Sequence, residues 1–185
     1  MQRDKAALVY HDQPQLDRSF ELVQHFCAAA WVSVRADQTH EPGRARFPLI
    51  IDRQGVAGPI AGISAAQHAH PGAAWLVLAC DLPFVTAALL EILIRSRSPT
   101  HAATAFRSAH DGLPEPLCAV WEPASAVAVD GWIAQGRHCP RHLLGSIDAN
   151  LLDLPQGRAL DNINTPAERD MALRELSKHA HPNDA

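Results

Sequence analysis

Apolar positions along the chain follow two rhythms. Leu16, Phe20, Val23 and Cys27 recur at helical spacing, with Asp17, Arg18, Glu21 and Gln24 between them, and Pro14 stands where a helix can begin. That spacing predicts a helix over 14–29. A short strand follows over 31–34. The polar stretch 38–46 holds Pro42 and Gly43 and reads as a loop. The β-branched run 47–51 predicts a second strand ending at Asp52, then a glycine-bearing turn over 55–62 and an alanine-rich helix over 63–69. Residues 74–80 are continuously apolar, the signature of a central strand covered on both faces. A helix over 86–95 comes next, with Thr86 as its N-cap and Leu89, Leu90, Leu93 and Ile94 on the buried side.

Strand, loop and helix thus alternate as far as residue 95, which predicts an α/β fold with a parallel sheet and helices on its faces. The rhythm then changes. Residues 101–106 and 116–121 read as strands joined by a polar loop containing Asp111-Gly112. Helices over 123–134 and 140–144, a strand over 151–154, and a last helix over 167–178 complete the reading. Thr165 caps that last helix, with Pro166 at its first position. The expected organisation is a single domain over 1–178 with a flexible tail over 179–185.

Composition narrows the function. The chain has 185 residues, of which 47% are hydrophobic, and a formal net charge of −4. That is enough to bury a core, and it lacks the basic stripe of a nucleic-acid binder. No apolar run is long enough to span a bilayer, and no signal peptide is visible after the charged N-terminus, so a cytoplasmic location without membrane contact is expected. The four cysteines form no C-x-x-C pair, which fits reduced thiols. His138-Cys139-Pro140-Arg141-His142 gathers metal-ligand types, but Pro140 interrupts their spacing and no fourth ligand is placed.

In open α/β sheets, ligands gather beyond the carboxyl ends of strands. Asp81 follows the longest apolar run, where a carboxylate suits Mg2+ beside a phosphate; it suits a turn or helix cap equally. Asp52 ends another strand and is open to the same two readings. In Gly58-Pro59-Ile60-Ala61-Gly62, the glycines permit close backbone approach to a ligand or simply a tight turn. Asn162 and Asn164, in Asn-Ile-Asn-Thr-Pro, can line a ligand or satisfy turn backbone.

Taken in order, D-K-A-A-L, Asp52 with G-P-I-A-G-I, L-V-L-A-C-D-L-P-F, P-L-C-A-V-W and D-N-I-N-T-P resemble the molybdenum cofactor guanylyltransferases. These belong to the wider nucleotidyltransferases of glycosyltransferase-A-like fold. The resemblance runs from Asp4 to about Leu176. It implies a three-layer, Rossmann-like α/β fold with a mostly parallel central sheet. It also implies Mg2+-dependent transfer of GMP from GTP to molybdenum-molybdopterin, with release of pyrophosphate. By motif, Lys5 and Asp81 take catalytic positions: Lys5 neutralises nucleotide phosphates and Asp81 binds the metal. Arg35, Asp52, Gly58 and Gly62 lie on the nucleotide side, although Arg35 reads equally as a surface arginine. Asn162 and Asn164 line the pterin side, with Asn164 a second metal contact. Small-molecule substrates are the expected partners, with transient contact to molybdenum cofactor biosynthesis proteins or acceptor molybdoenzymes.

The family opens with a strand and L-A-G-G-x-S-x-R-M-G-x-D-K. Only the end of that motif is matched, by Met1, Asp4 and Lys5, so the first strand and its phosphate loop are expected to be missing. Three origins fit: an internal Met taken as the start, which the intact downstream motifs favour; a short product that has lost catalysis; or a sheet completed by another segment. The functional alternatives are accordingly another nucleotidyltransferase of this fold, such as a cytidylyltransferase for the same cofactor, and a binding or regulatory remnant.

Overall fold

The computed structural model describes residues 8–10, 13–155, 157–163, 168 and 170–174. Helices α1 (Gln15–Phe26), α2 (Pro42–Ala45), α3 (Ile60–Ala69), α4 (Ala87–Arg95), α5 (Ala126–Ala134) and α6 (Pro140–Leu144) alternate with strands. The strands are β1 (Val32–Val34), β2 (Leu49–Ile51), β3 (Trp75–Leu78), β4 (Ala103–Arg107), β5 (Pro114–Trp121) and β6 (Ala149–Leu152). Residues 168 and 170–174 are helical; Thr165, Pro166, the tail over 179–185 and most of the expected last helix lie outside the described residues.

The α/β class holds. A four-stranded sheet has the order β3-β5-β4-β6, and β1 pairs in parallel with β2 in a second sheet. In the larger sheet β5 is antiparallel to both β3 and β4, and β4 is parallel to β6, so three strands share a direction and β5 opposes them. The reversal comes from a connection of a few residues between β4 and β5. Gly112 adopts a φ of 70° there, a conformation glycine enters freely. Ser108 N–H donates to the Leu113 carbonyl at 2.8 Å and Gly112 N–H to the Ser108 carbonyl at 2.9 Å. A connection this short permits only an antiparallel return.

Strand periodicity divides the core. Ala119 and Trp121 of β5, with Ala103 and Ala105 of β4, face a cluster with Ile60 and Ile63 of α3, Val129 and Trp132 of α5, and Leu143 and Leu144 of α6. The alternate residues Cys118, Val120 and Phe106 face Leu89, Leu90 and Leu93 of α4, with Leu22 and Phe26 of α1 packed alongside. Two helical layers therefore cover one sheet. Thr86 caps α4 as expected, its Oγ1 accepting from Leu89 N–H at 3.2 Å.

Two expectations change. The stretch 38–46 is not wholly loop: a single 3-10 turn over Ala36–Gln38 precedes α2. Both pieces are too short to carry a periodic pattern. β3 is also not central among the described residues; it ends its sheet, and all four of its residues are half-buried. No described strand pairs with its outer edge or with the outer edge of β1, and a cavity of about 430 Å3 lies between the two, lined by Val32 and Ser33 on one side and Trp75–Leu78 on the other.

One buried charge ties the layers together. Glu122, 2% exposed, follows β5 and accepts from Arg97 Nη2, just after α4, at 2.8 Å. The Glu122 carbonyl accepts from Ser125 Oγ, which in turn accepts from Gln67 of α3, both at 2.7 Å. Arg97→Ala leaves Glu122 buried without its cation. Because the arginine itself is partly solvated, the expected loss is about 1–3 kcal/mol, read from urea unfolding midpoints. The cysteines give a second check. Burial, with Glu115 nearby, pushes the Cys118 thiol up to about 12, whereas Cys139 is exposed. A thiol reagent at pH 8 should modify Cys139 in the folded protein and reach Cys118 only on unfolding.

Candidate active site

Three adjoining cavities follow the strand ends. The first, of about 450 Å3, is lined by Arg35, Asp52, Gly58 and their neighbours. It shares Gln38 and Pro59 with the 430 Å3 cavity, whose lining includes Ser33, Gly62 and Asp81. That central cavity shares Leu117 with a third of about 590 Å3, which Asn162 lines. The sequence-predicted residues thus spread along one row rather than converge at one point. Lys5 and Asn164 lie outside the described residues.

Asp52 follows β2, and its N–H extends the parallel ladder to the Val34 carbonyl at 2.8 Å. Its side chain is fixed by Ser33 of β1, whose hydroxyl donates to Oδ1. Ser33 alternates with buried Val32 and Val34, and this projects it to the opposite face of the strand, the one visible cue to a residue that motif reading passes over. Gly62 explains itself in the same place. A Cβ built there would collide with Ser33 Oγ and stand 3.1 Å from Asp52 Oδ1 and 3.2 Å from Ser33 Cβ. Glycine at 62 lets α3 pack directly against the Ser33–Asp52 pair. Gly58 answers to a different demand, a φ of 75° in the turn before α3.

The intervening loop is stitched to the helices. Arg53 N–H donates to the Ala61 carbonyl at 3.2 Å, and Arg53 Nη1 donates to Asp130 of α5 at 2.7 Å and to Ser64 Oγ at 3.2 Å. Arg35 is well exposed and donates through Nε and Nη2 to the two oxygens of Asp37 at 3.0 Å each. That hydrogen bond raises the Arg35 pKa and lowers that of Asp37. Arg44 also lines the central cavity and pairs with Glu41, a cation not singled out from sequence.

Asp81 stands just beyond β3 in a half-buried turn. Its carbonyl accepts from Ile163 N–H at 3.3 Å, and this bond draws the Asn162 segment alongside the β3 end. Among the described residues no three His, Cys, Asp or Glu side chains converge as a metal cage. Asp81 lines an open cavity whose walls are mostly apolar, and a single carboxylate there matches Mg2+, which keeps several waters and takes one or two carboxylates together with phosphate oxygens. Asp81 fits that role.

Residues 1–149 match the family model of the MobA-like NTP transferase domain. Over 168 residues the chain is 32% identical to the molybdenum cofactor guanylyltransferase of Pseudomonas aeruginosa, covering 89% of this chain and 83% of that protein. It is 30% identical over 168 residues to the molybdenum cofactor biosynthesis bifunctional protein of Synechocystis, of which it spans about half, 48%. Among solved structures, molybdopterin-guanine dinucleotide biosynthesis protein A from Archaeoglobus fulgidus superposes with a TM-score of 0.75 at 24% identity, over 94% of this chain and 91% of that one. The 2-C-methyl-D-erythritol 4-phosphate cytidylyltransferase of Thermus thermophilus gives 0.71 at 14% identity, over 94% and 93%. Both likenesses are of fold.

Gly62→Ala should force Ser33 Oγ off Asp52 and cost about 1–3 kcal/mol of stability. Combining it with Ser33→Ala removes the closest collision, so the pair should cost less than the sum of the single changes in a thermal-melt double-mutant cycle.

Proposed function

This chain belongs to the MobA-like NTP transferase family, and on that premise we propose that it transfers GMP from GTP to molybdenum-molybdopterin. It is a nucleotidyltransferase with a role in forming the dinucleotide form of the molybdenum cofactor. The observation that carries the finer reading is the row of cavities, with Asp81 in the central one between Asp52 on one side and Asn162 on the other. In-line displacement needs that order: donor nucleotide, reacting phosphate, acceptor.

In this reading GTP lies on the Asp52 side. The glycine-bearing turn from Asp52 to Pro59 lets the backbone approach its phosphates closely. The acceptor lies on the Asn162 side. An oxygen of its terminal phosphate attacks the α-phosphorus of GTP, the α–β bridging P–O bond breaks, and pyrophosphate leaves with the bonding electrons. Mg2+ held by Asp81 would supply charge neutralisation at the phosphates. Asp81 would act on the reacting phosphate only through that ion, and Lys5 is the cation that the family motif assigns to the nucleotide phosphates. No protein nucleophile or acid–base triad is required.

Pyrophosphate release from GTP or CTP in the presence of molybdopterin tests the reading. Release with GTP supports it; release with CTP alone moves the chain to the cytidylyltransferases, and release with neither removes the transferase assignment. Asp81→Asn should lower Mg2+-dependent turnover by about a hundredfold or more while leaving the melting temperature nearly unchanged. Undiminished turnover in that variant removes Asp81 from the metal site.

A further inference from the structure

The 590 Å3 cavity on the Asn162 side has two charged walls. On one, Arg141 donates to the two oxygens of Asp111 at 3.0 Å each, to the Pro114 carbonyl at 3.1 Å and to Glu115 Oε1 at 2.8 Å. On the other, Asp161 takes His110 Nε2 on Oδ1 at 2.8 Å and Arg158 Nε on Oδ2 at 2.9 Å. Asp111 and Asp161 therefore have both oxygens occupied. Glu115 does not: among the described residues its Oε2 has no hydrogen-bond partner.

Glu115 is also held in place for recognition. Pro114 and Pro116 flank it and restrict the backbone on either side. Arg141 fixes the carboxylate through one oxygen, and the side chain is largely buried, at 23% exposure. Pairing with β4 shifts register between Ala119 and Pro114, and in this irregular stretch Glu115 and Leu117 are both half-buried and line the same cavity, with Cys118 beside them. A preset carboxylate next to apolar surface matches a flat heterocycle with two adjacent N–H donors on one edge. The 2-amino-4-oxopyrimidine ring of a pterin has that edge, its exocyclic amine lying beside the ring N3–H.

We propose that Glu115 is a specificity-determining residue that reads the 2-amino-pyrimidinone edge of the acceptor's pterin. This rests on the transferase reading above. Guanine carries the same donor pair; the pterin is assigned because Glu115 lines the cavity of Asn162 and not that of Asp52. The carboxylate accepts both N–H groups, and Asn162, which lines the same cavity, serves the remainder of the acceptor.

The test uses the whole chain with 6-methylpterin, with 6-methyllumazine, whose C2 carries oxygen in place of the amine, and with GTP, each titrated by fluorescence or calorimetry. The native chain should bind the pterin at least about tenfold more tightly than the lumazine. Glu115→Gln should abolish that preference, weaken pterin binding by about tenfold and leave GTP affinity and melting temperature unchanged. Equal binding of pterin and lumazine by the native chain, no pterin binding, or an undiminished preference in Glu115→Gln overturns the proposal. Loss of GTP binding in Glu115→Gln with pterin binding intact also overturns it, since the carboxylate then reads guanine. The transferase reading fails separately, if the native chain releases no pyrophosphate while the pterin preference and its dependence on Glu115 persist.

Discussion

Strand β5 is the constraint on which the remaining structure depends. It runs against β3 and β4 and is hydrogen-bonded to both, so its register fixes theirs. Its side-chain parity assigns Trp121 and Ala119 to one core and Val120 and Cys118 to the other. A one-residue slip would exchange the two sets and put Trp121 against α4, where the space is shaped by leucines. Before Cys118 the pairing with β4 shifts register, and there Glu115 and Leu117 line the cavity at the strand's start.

The site is built by neighbours more than by the residues that give it chemistry. Asp52 depends on Ser33 for its side-chain direction and on Gly62 for its room. Glu115 depends on Arg141 in the same manner. The Asn162 segment reaches the end of β3 through a backbone bond from Ile163 to the Asp81 carbonyl, which no side chain provides. Supporting contacts of this kind hold a side chain to the small tolerances that the proposed transfer requires.

Where a residue's role follows from its local pattern, the sequence displays it. Thr86 caps α4, and Leu89, Leu90 and Leu93 are buried, because spacing alone determines both. Asp81 and Asn162 stood out from strand ends and motif order, and each lines a cavity; membership of the family was legible in the same motifs. Ser33 was not: its alternation with Val32 and Val34 marks only the face it projects to, and its role appears once Asp52 arrives from β2. Gly62 resembled a ligand-approach glycine, yet the atoms beside it belong to Ser33 and Asp52. Glu115 was obscured by its prolines, which resemble a strand entrance, and its importance depends on Arg141 from α6. The continuous apolar run before Asp81 suggested a strand enclosed on both sides; its four residues are only half-buried, because its outer edge lines a cavity.

The Arg53–Asp130 contact has a consequence for motion. It joins the loop after β2 to α5, and both side chains are about two-fifths exposed. An ion pair so solvated contributes roughly 1 kcal/mol or less and weakens as salt rises. The glycines at 55 and 58 bound the same loop with open backbone conformations. The loop is therefore joined to α5 by a contact that weakens as salt rises, while the Arg53 N–H bond to the Ala61 carbonyl and the Nη1 bond to Ser64 hold it to α3 independently of that charge.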